Sequence, residues 1–579
     1  MKLTLLFFFA TSLCVPAQYT PSQVQVRVVT FADAGVETAL QAIRPGCDND
    51  LFTALSQSAA GGEAKIVSDQ VLLVRGGQRS RAIAAYEFPY ATGHNIDSSL
   101  GLMIPTLLVW QSAGPQLEAE ATVGVSRSLG FPGRPIDLNV GAENQTMLSQ
   151  MAWPVADLRG QGEMGSVSMP LASIHKSNLQ ALTGTGMTML LSVAGEPQRA
   201  ADKDMKTRFL YTFLRAGVKG ETPKRDVISP PAVSFQRRLH AVSLRVPTET
   251  AVTLMSRRSD DHALFTALFA KAARGEADVS GNTAILGRNG QRSRIESTLQ
   301  FPYPLNYEDF FPDKWSYRPL GTLMEADAGG EFAEIEKPLP GDWTVALEVS
   351  GAPELTNFYP DKSRPNIYIP QIEYTSRQFT GHVTVPASGI LCAGAISSVP
   401  ATQKGEAAEG MTDILFFVQS PPPTAPEKQQ KPQRWLEAML LSVSEQSGRT
   451  LAAGGDASGL LERLGAADVR CAGFAAVAAE GEHRNEIKWQ RHVPHPAGFG
   501  KSATLPDLEI PSSWEGAACG LKLEAAFASR SGTASLNATL AWDSSPVASL
   551  GLVYIGPCKR EDRLRTTVFE LGMPACSYD

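Results

Sequence analysis

Short apolar segments alternate with polar turns along most of this chain, and one order of segments comes round three times. Each round opens on a stretch that is apolar or alternates at period two: residues 24–30 (VQVRVVT), 239–246 (LHAVSLRV) and 436–443 (LEAMLLSV). That is the pattern of a half-buried strand. A helix is predicted next in each round. Asp48 can cap the first, with Leu51, Phe52 and Leu55 as its apolar stripe; Ser259 or Asp260 can cap the second, with Leu264, Phe265 and Leu268; Ser458 can cap the third, with Leu460, Leu461 and Leu464. A side-chain oxygen at the cap satisfies orphan amides, and the stripe gives each helix one face to bury. Compact apolar runs at 71–74 and 284–286 follow, and they predict strands buried on both faces.

These runs end in Gly76-Gly77, Asn289-Gly290 and, in the third round, Glu480-Gly481. Such pairs are the signature of a two-residue hairpin turn, whose central residues need positive φ. Gly77, Gly290 and Gly481 are therefore expected as structural turn residues, each joining two strands of one hairpin. The return strands carry Gln78-Arg79-Ser80-Arg81 and Gln291-Arg292-Ser293-Arg294, and alternation puts each arginine pair on one face. Arg79, Arg81, Arg292 and Arg294 are thus candidates for binding a carboxylate or phosphate; the plainer reading is a solvated strand face guarded by charge. Phe88-Pro89-Tyr90 and Phe301-Pro302-Tyr303-Pro304 are expected to stop these strands, since proline removes a ladder donor. Loops are predicted at 91–98 and 305–318. The second is dense in aromatics, and Tyr307, Phe311 and Trp315 are its candidate binding residues; the plainer reading is a loop pinned to its own domain. Further strands are expected at 102–109, 117–125, 320–326, 343–349, 520–528 and 534–542, with closing strands at 207–215, 412–419 and 565–571.

The repetition is visible in identities as well as in pattern. Residues 51–90 and 264–303 align without a gap at an offset of 213, with 20 identities in 40 positions. The fold class that follows is α+β and β-rich: three tandem repeats, each of strand, helix, β-hairpin and further antiparallel strands. Two proline-containing polar stretches separate them, the clearer being SPPPTAPEKQQKPQ, which stays extended and builds no core. The expected segments are 18–218, 236–420 and 434–579, with linkers at 219–235 and 421–433.

Composition and charge narrow the class. Of 579 residues, 43% are hydrophobic and 19% charged, enough apolar material for sizeable cores. A net charge of −7 with no long basic run gives nucleic acid no electrostatic footprint. The start has the pattern of a secretory signal over residues 1–17: Lys2, an apolar stretch at 3–13, and Val15-Pro16-Ala17 before a cut between Ala17 and Gln18. The apolar stretch is too short to anchor the chain as a helix, so the mature protein is expected to be exported. Cys47, Cys392, Cys471, Cys519, Cys558 and Cys576 then remain, in a compartment that permits disulfides, and their spacing leaves the pairing open.

The second round resembles a known family. Gly275-Glu276-Ala277 leads a strand and a turn at Gly290-Gln291; Phe301-Pro302-Tyr303-Pro304 and Leu320-Gly321 follow. Then come a strand pair around 343–349, Tyr374-Thr375-Ser376-Arg377, the strand 382–386, a turn at Ala387-Ser388-Gly389, and strands at 390–395 and 412–418. This order resembles the secretin homology domain of type II and type III secretion and type IV pilus outer-membrane pores. The first round keeps the front half through Gly62-Glu63-Ala64, Gly77-Gln78, Phe88-Pro89-Tyr90 and Leu100-Gly101; the third keeps the skeleton. Ring-forming domains ahead of the pore domain and the family's lip-strand ending are missing. The resemblance therefore implies a repeat-built relative: a structural or accessory component of a secretion or pilus assembly. It would lie in the periplasm or outer membrane of a Gram-negative-type bacterium and pair strands with itself or with other envelope proteins.

Reaction chemistry finds no foothold. Gly500-Lys501-Ser502 has His495 where a phosphate-binding loop needs glycine, and His492-x-x-His495 contains Pro494, which bars the helix that a paired-histidine zinc site requires. No Gly-x-Ser-x-Gly elbow occurs. No catalytic residue, metal ligand or cofactor is nominated. The expected function is non-enzymatic and structural; the alternative is an exported glycan- or peptide-binding protein using the aromatic stretch.

Overall fold

The computed structural model describes residues 22–97, 102–124, 134–156, 163–197, 207–221, 236–256, 260–308, 311–329, 341–364, 367–386, 388–398, 410–422, 434–443, 469–479, 483–502, 507–530, 533–543 and 563–570. The expected signal segment with Ala17 and Gln18, Gly481, and the third predicted helix with Ser458, Leu460, Leu461 and Leu464 lie outside them.

The first part of the chain supplies β1 (Gln23–Asp33), α1 (Val36–Ile43), α2 (Asp48–Gly61), β2 (Lys65–Arg75), β3 (Arg79–Ile83), β4 (Tyr86–Asp97), β5 (Leu102–Val123), β6 (Pro135–Ala156), β7 (Glu163–Gly184), β8 (Thr188–Gly195) and β9 (Phe209–Val218). The middle supplies β10 (Gln236–Pro247), α3 (Thr248–Ser256), α4 (Asp261–Ala273), β11 (Asp278–Arg288), β12 (Arg292–Glu308), β13 (Phe311–Ala328), β14 (Asp342–Ser350), β15 (Glu354–Phe358), β16 (Ile369–Thr384), β17 (Ile390–Ser397) and β18 (Met411–Ser420). The last part supplies β19 (Arg434–Val443), β20 (Val469–Ala479), β21 (Asn485–Lys501), β22 (Glu509–Arg530), β23 (Thr533–Asp543) and β24 (Arg563–Glu570). The protein is α+β and β-rich.

Two large sheets take nearly all the strands. An 11-stranded sheet runs β2-β1-β9-β8-β11-β10-β18-β17-β20-β19-β24, and a 13-stranded sheet runs β23-β22-β21-β16-β14-β13-β12-β7-β6-β5-β3, with β15 beside β16 and β4 beside β5. Pairing is antiparallel except between β19 and β24. Both sheets run across the linkers: β8 pairs with β11 and β7 with β12, then β17 with β20 and β16 with β21.

The sheets stack face to face. Their shared core includes Leu239, Ala241 and Phe417 from one sheet and Met324, Trp343, Val345 and Phe379 from the other. A second part of it sets Val24, Val26 and Leu214 against Leu117, Leu138 and Leu179. The helices lie on the opposite face of the 11-stranded sheet, where Leu264, Phe265 and Leu268 of α4 meet Val242, Ile414 and Phe416, and Leu51 and Leu55 of α2 meet Val29, Phe31 and Phe213. That sheet is the middle layer. Its strands are covered on both sides, which is why every residue of β17 and all but the last of β8 are buried. The 13-stranded sheet has one solvent face, and β14 alternates accordingly, burying Trp343, Val345 and Leu347 between exposed Thr344 and Ala346.

The predicted stripes of α2 and α4 face the core. The cap of α4 is Asp260, whose carboxylate accepts from the Ala263 amide at 2.6 Å. Asp48 is not a cap. Cys47 holds that position without a side-chain capping bond, its thiol donating instead to the Gln41 and Arg44 carbonyls, and the Asp48 carboxylate turns inward to accept from the Leu190 amide at 2.9 Å and from Arg238 at 2.6 Å. This ion pair joins α2 to β10 across the first linker, with the two side chains only 7% and 4% exposed.

The expectation of strands buried on both faces holds at 284–286 and fails at 71–74. Val71 and Leu73 are 53% and 51% exposed, because they point away from the core that takes Val74, whereas Ala284 is covered in the cluster beneath α2.

The glycine turns are also corrected. Gly77 and Gly290 do adopt positive φ, 74° and 68°, and Gln78 and Gln291 donate back to Arg75 and Arg288 across the turn. The strands on either side, however, belong to different sheets: β2 bonds to β1 and β3 to β5, β11 to β10 and β12 to β13. The Gly77 amide donates to Ala121 and the Gly290 amide to Ala328, both in the 13-stranded sheet. The turn is a corner between layers, not a hairpin within one.

Breaking a buried ion pair by removing one partner leaves an uncompensated charge. Asp48→Ala should lower unfolding stability by about 3–5 kcal/mol in guanidinium titrations followed by tryptophan fluorescence. Adding Arg238→Leu to it should restore most of the loss.

Candidate functional site: open strand edges and hairpin arms

The 13-stranded sheet does not end flush. Pairing of β5 with β6 begins at Gly114 opposite Gln145, so 102–113 of β5 has β4 as its partner. Pairing of β12 with β7 stops at Gln300, beyond which β12 bonds to β13. Pairing of β21 with β16 stops at His492, beyond which β21 bonds to β22. Among the described residues, five two-stranded arms therefore leave the same end of the sheet: β4–β5, the outer parts of β6–β7 and of β12–β13, β15 with 369–373 of β16, and the outer part of β21–β22.

Glycine permits the bend where arms leave. Gly114 and Gly321 have φ of 142° and 144°, and a Cβ there would lie 2.2 Å from the Ala84 carbonyl oxygen and 2.3 Å from that of Ser297. Leu320-Gly321 was expected to start a strand; Gly321 instead lies inside β13, opposite Thr298. The stretches expected as loops at 91–98 and 305–318 are largely the strands of two arms. The expected strands 102–109 and 117–125 are likewise one strand, β5. Pro302 and Pro304 do not stop β12. They lie past the last residue that β7 bonds, on a strand side where a missing N–H breaks no ladder.

The aromatic candidates hold arms together. The Trp315 ring is 9% exposed and meets Trp153 of β6 edge-on, with ring centroids 5.4 Å apart. The Tyr307 hydroxyl donates to the Pro370 carbonyl at 2.6 Å, and Tyr317 meets Tyr90 of β4 at 5.8 Å. Trp514 of β22 packs on Phe358 at 5.3 Å. The Phe311 side chain lies outside the described part. The aromatic stretch is thus an interlocked two-stranded arm rather than a loop. Trp153 and Trp514, which sequence reasoning missed, carry no local signal beyond being aromatic.

The arginine candidates sit on the solvent face of the 13-stranded sheet and are answered by neighbouring strands. Arg79 pairs with Glu118 and Arg81 donates to Gln116; Arg292 pairs with Glu325 at 2.7 Å and Asp327 at 3.2 Å; Arg294 reaches Glu296 at 3.5 Å. Alternation is as expected in β12, where Ser293 and Ile295 are buried between exposed Arg292 and Arg294. These ladders leave no pair of guanidiniums converging on an anion. The chain does not bring the two arginine pairs together: they lie on β3 and β12, with β5, β6 and β7 between.

The charge cluster that joins the layers centres on Asp413 of β18. Arg245 of β10 grips its carboxylate at 3.1 and 3.2 Å, Ser280 of β11 donates to it, and Arg377 of β16 reaches it from the other sheet at 2.8 Å. Arg377 ends the Tyr374-Thr375-Ser376-Arg377 motif noted in the sequence. Arg245 and Arg377 also line a cavity of about 430 Å³. Burial by itself would raise the Asp413 pKa, but Arg377 and Arg245 overcome it and hold the carboxyl at about 2.

Cys47, Cys392 and Cys471 are free thiols. Burial pushes Cys47 up to about 11 and Cys471 to about 12, so neither is a nucleophile at neutral pH. The Cys519 side chain, Cys558 and Cys576 lie outside the described part. His492 stacks on Tyr374 at 4.4 Å and bonds Ser376 at 2.9 Å. Among the described residues no helix is long and apolar enough to cross a membrane, which says nothing of strands.

What remains open is strand edge and apolar surface. Among the described residues β2 and β3 close one flank of the two sheets, β24 and β23 the other. Among the described residues, every large hydrophobic side chain found exposed lies in one of two places. Ile66, Val71, Leu73 and Ile83 are on β2 and β3; Tyr86, Ile104, Leu107, Leu108, Val109, Trp110, Leu148, Leu305, Leu355, Tyr359 and Phe499 are at the arm end. Comparison with family models, curated proteins and solved structures returns no match.

A depressed carboxyl pKa contributes stability that is whole above the unfolded value, near 4, and is lost as pH falls through the folded one. Asp413 should therefore contribute about 2–3 kcal/mol that disappears between about pH 4 and pH 2. Asp413→Asn should flatten that part of the pH–stability curve measured by denaturant titration. Gly321→Ala, which forces a left-handed φ on a Cβ against the Ser297 carbonyl, should destabilise by about 2–4 kcal/mol in the same assay at pH 7.

Proposed function

We propose that this chain is a non-enzymatic structural protein of the cell envelope. It would be exported to the periplasm or outer membrane and build a larger assembly, of the secretion or pilus kind, by pairing strands with further copies of itself or with envelope partners. One observation carries the reading. At the first internal junction β11 accepts β8 through Ala284 and Ile285. In the ungapped alignment these two residues correspond to Val71 and Leu72, which lie on the open edge β2. The position that docks a neighbouring strand inside the chain is thus left vacant at its flank, with Val71 and Leu73 exposed beside it. On the other sheet, 294–300 of β12 accept β7 and align with 81–87 at the β3–β4 edge. Long exposed edges with apolar side chains are templates for pairing unless a partner covers them. The resemblance to secretin homology domains points the same way.

The purified chain should run well above its 62.0 kDa monomer mass in sedimentation-velocity experiments. Val71→Lys combined with Leu73→Lys should weaken that association by about ten-fold or more while leaving the circular-dichroism spectrum unchanged, since both side chains are exposed. A monomer at every concentration, or a lysine variant that associates like the parent, would refute the reading.

A further inference from the structure

We propose that the β4–β5 arm is a lipid-contacting element that enters the hydrocarbon of a bilayer. The reading deepens the envelope role proposed above but rests on a separate observation. The β6–β7 and β12–β13 arms bury apolar side chains against one another: Trp153, Met169, Phe301 and Trp315 are all within 9% exposure. The β4–β5 arm does so only at its inner end, where Tyr90 meets Tyr317. Leu108 and Trp110 on one face of β5 are 61% and 64% exposed, and Leu107 and Val109 on the other are 57% and 37% exposed; Ile104, beyond the irregularity at Thr106, is 49% exposed. A protein partner laid on the ribbon would cover one face, as the sheets of this molecule cover one another. Hydrocarbon surrounds both.

Charge supports the same occupant. Between Glu87 and Asp97 β4 contains no Asp, Glu, Lys or Arg, and β5 contains none from Leu102 to Leu117. The uncharged part of the ribbon, Phe88 opposite Gln111 to Ile96 opposite Met103, is nine residues long on each strand. A strand needs about 9–11 residues to cross a bilayer. Tyr86, Phe88, Tyr90 and Trp110 gather at the inner end of that span, next to Glu87, where amphipathic rings sit between water and acyl chains. In water a free two-stranded ribbon is marginal at best. In lipid its outward N–H and C=O groups need partners, and arms of neighbouring copies in the assembly would supply them.

Flotation of the full chain with neutral phosphatidylcholine vesicles tests this. The wild-type chain should float with the vesicles at low and high salt alike, because no charge is involved. Vesicles with brominated acyl chains should quench the fluorescence of the wild-type chain more than that of Trp110→Phe. Two paired variants, Leu108→Asp with Trp110→Asp and Leu107→Asp with Val109→Asp, should each cut the vesicle-bound fraction at least about ten-fold. Loss from one pair alone would mean a one-sided protein groove and overturn the proposal, as would a wild-type chain that fails to float or a Trp110 that brominated lipid does not reach. The Val71→Lys and Leu73→Lys variant should still float, and the arm variants should still self-associate without vesicles. Failure of self-association and failure of lipid contact are thereby separable.

Discussion

Main-chain hydrogen bonding across the junctions between chain segments is the constraint on which this structure depends. A strand presents donors and acceptors on both sides, and an unpaired side invites a partner. Here three stretches of chain, none of which closes its own sheets, satisfy one another by running into two common sheets. The junctions are brief in the middle layer, two residue pairs between β8 and β11 and three between β17 and β20. They are longer in the outer sheet, seven pairs each for β7–β12 and β16–β21. A buried ionic contact secures the first junction: Asp48 and Arg238 span it. Within the middle segment, Asp413 draws Arg245 and Arg377 together from the two layers.

The same logic accounts for what the molecule leaves uncovered. An arrangement that adds segments side by side removes edges inside the chain and keeps two at its flanks. The exposed apolar residues follow that geometry, with one group on β2 and β3 and the rest at the end where the arms leave. Neither group lies over the faces that the sheets and helices bury. Under the reading proposed above, these two regions are where the component meets other things. The cavity beside Arg245 and Arg377 has its guanidiniums already engaged by the Asp413 carboxylate.

Elements whose form depends on neighbours in sequence were legible. The helices at 48–61 and 261–273 follow from their apolar stripes, and the turn glycines from the conformation that Gly-Gly and Asn-Gly favour. The strands at 343–349 and 412–419 were found within a residue or two. The misreadings share one cause. Gly77 and Gly290 look the same in sequence whether the chain folds back into its own sheet or crosses to another, because the turn is local and the pairing is not. Prolines at 302 and 304 punctuate a strand only if both its sides are bonded, which depends on where β7 lets go of β12; Pro89 lies on β4, which pairs with β5 on one side. Aromatic density at 305–318 gave a loop, pinned or binding, and could not show a strand pair, because the partners of those rings, Trp153 and Pro370, are far away in the chain.

By itself, then, the sequence determined the β-rich class, the recurrence of segments, the helix stripes and the turn conformations, since each arises from spacing and backbone preference within a few residues. Tertiary structure alone decided which strands share a sheet, that Asp48 is a buried counter-ion and not a cap, that Arg79 and Arg292 face carboxylates, and which edges stay open. Those outcomes are set by hydrogen bonds and burial between residues tens to hundreds of positions apart. Local pattern constrains such pairings without choosing among them.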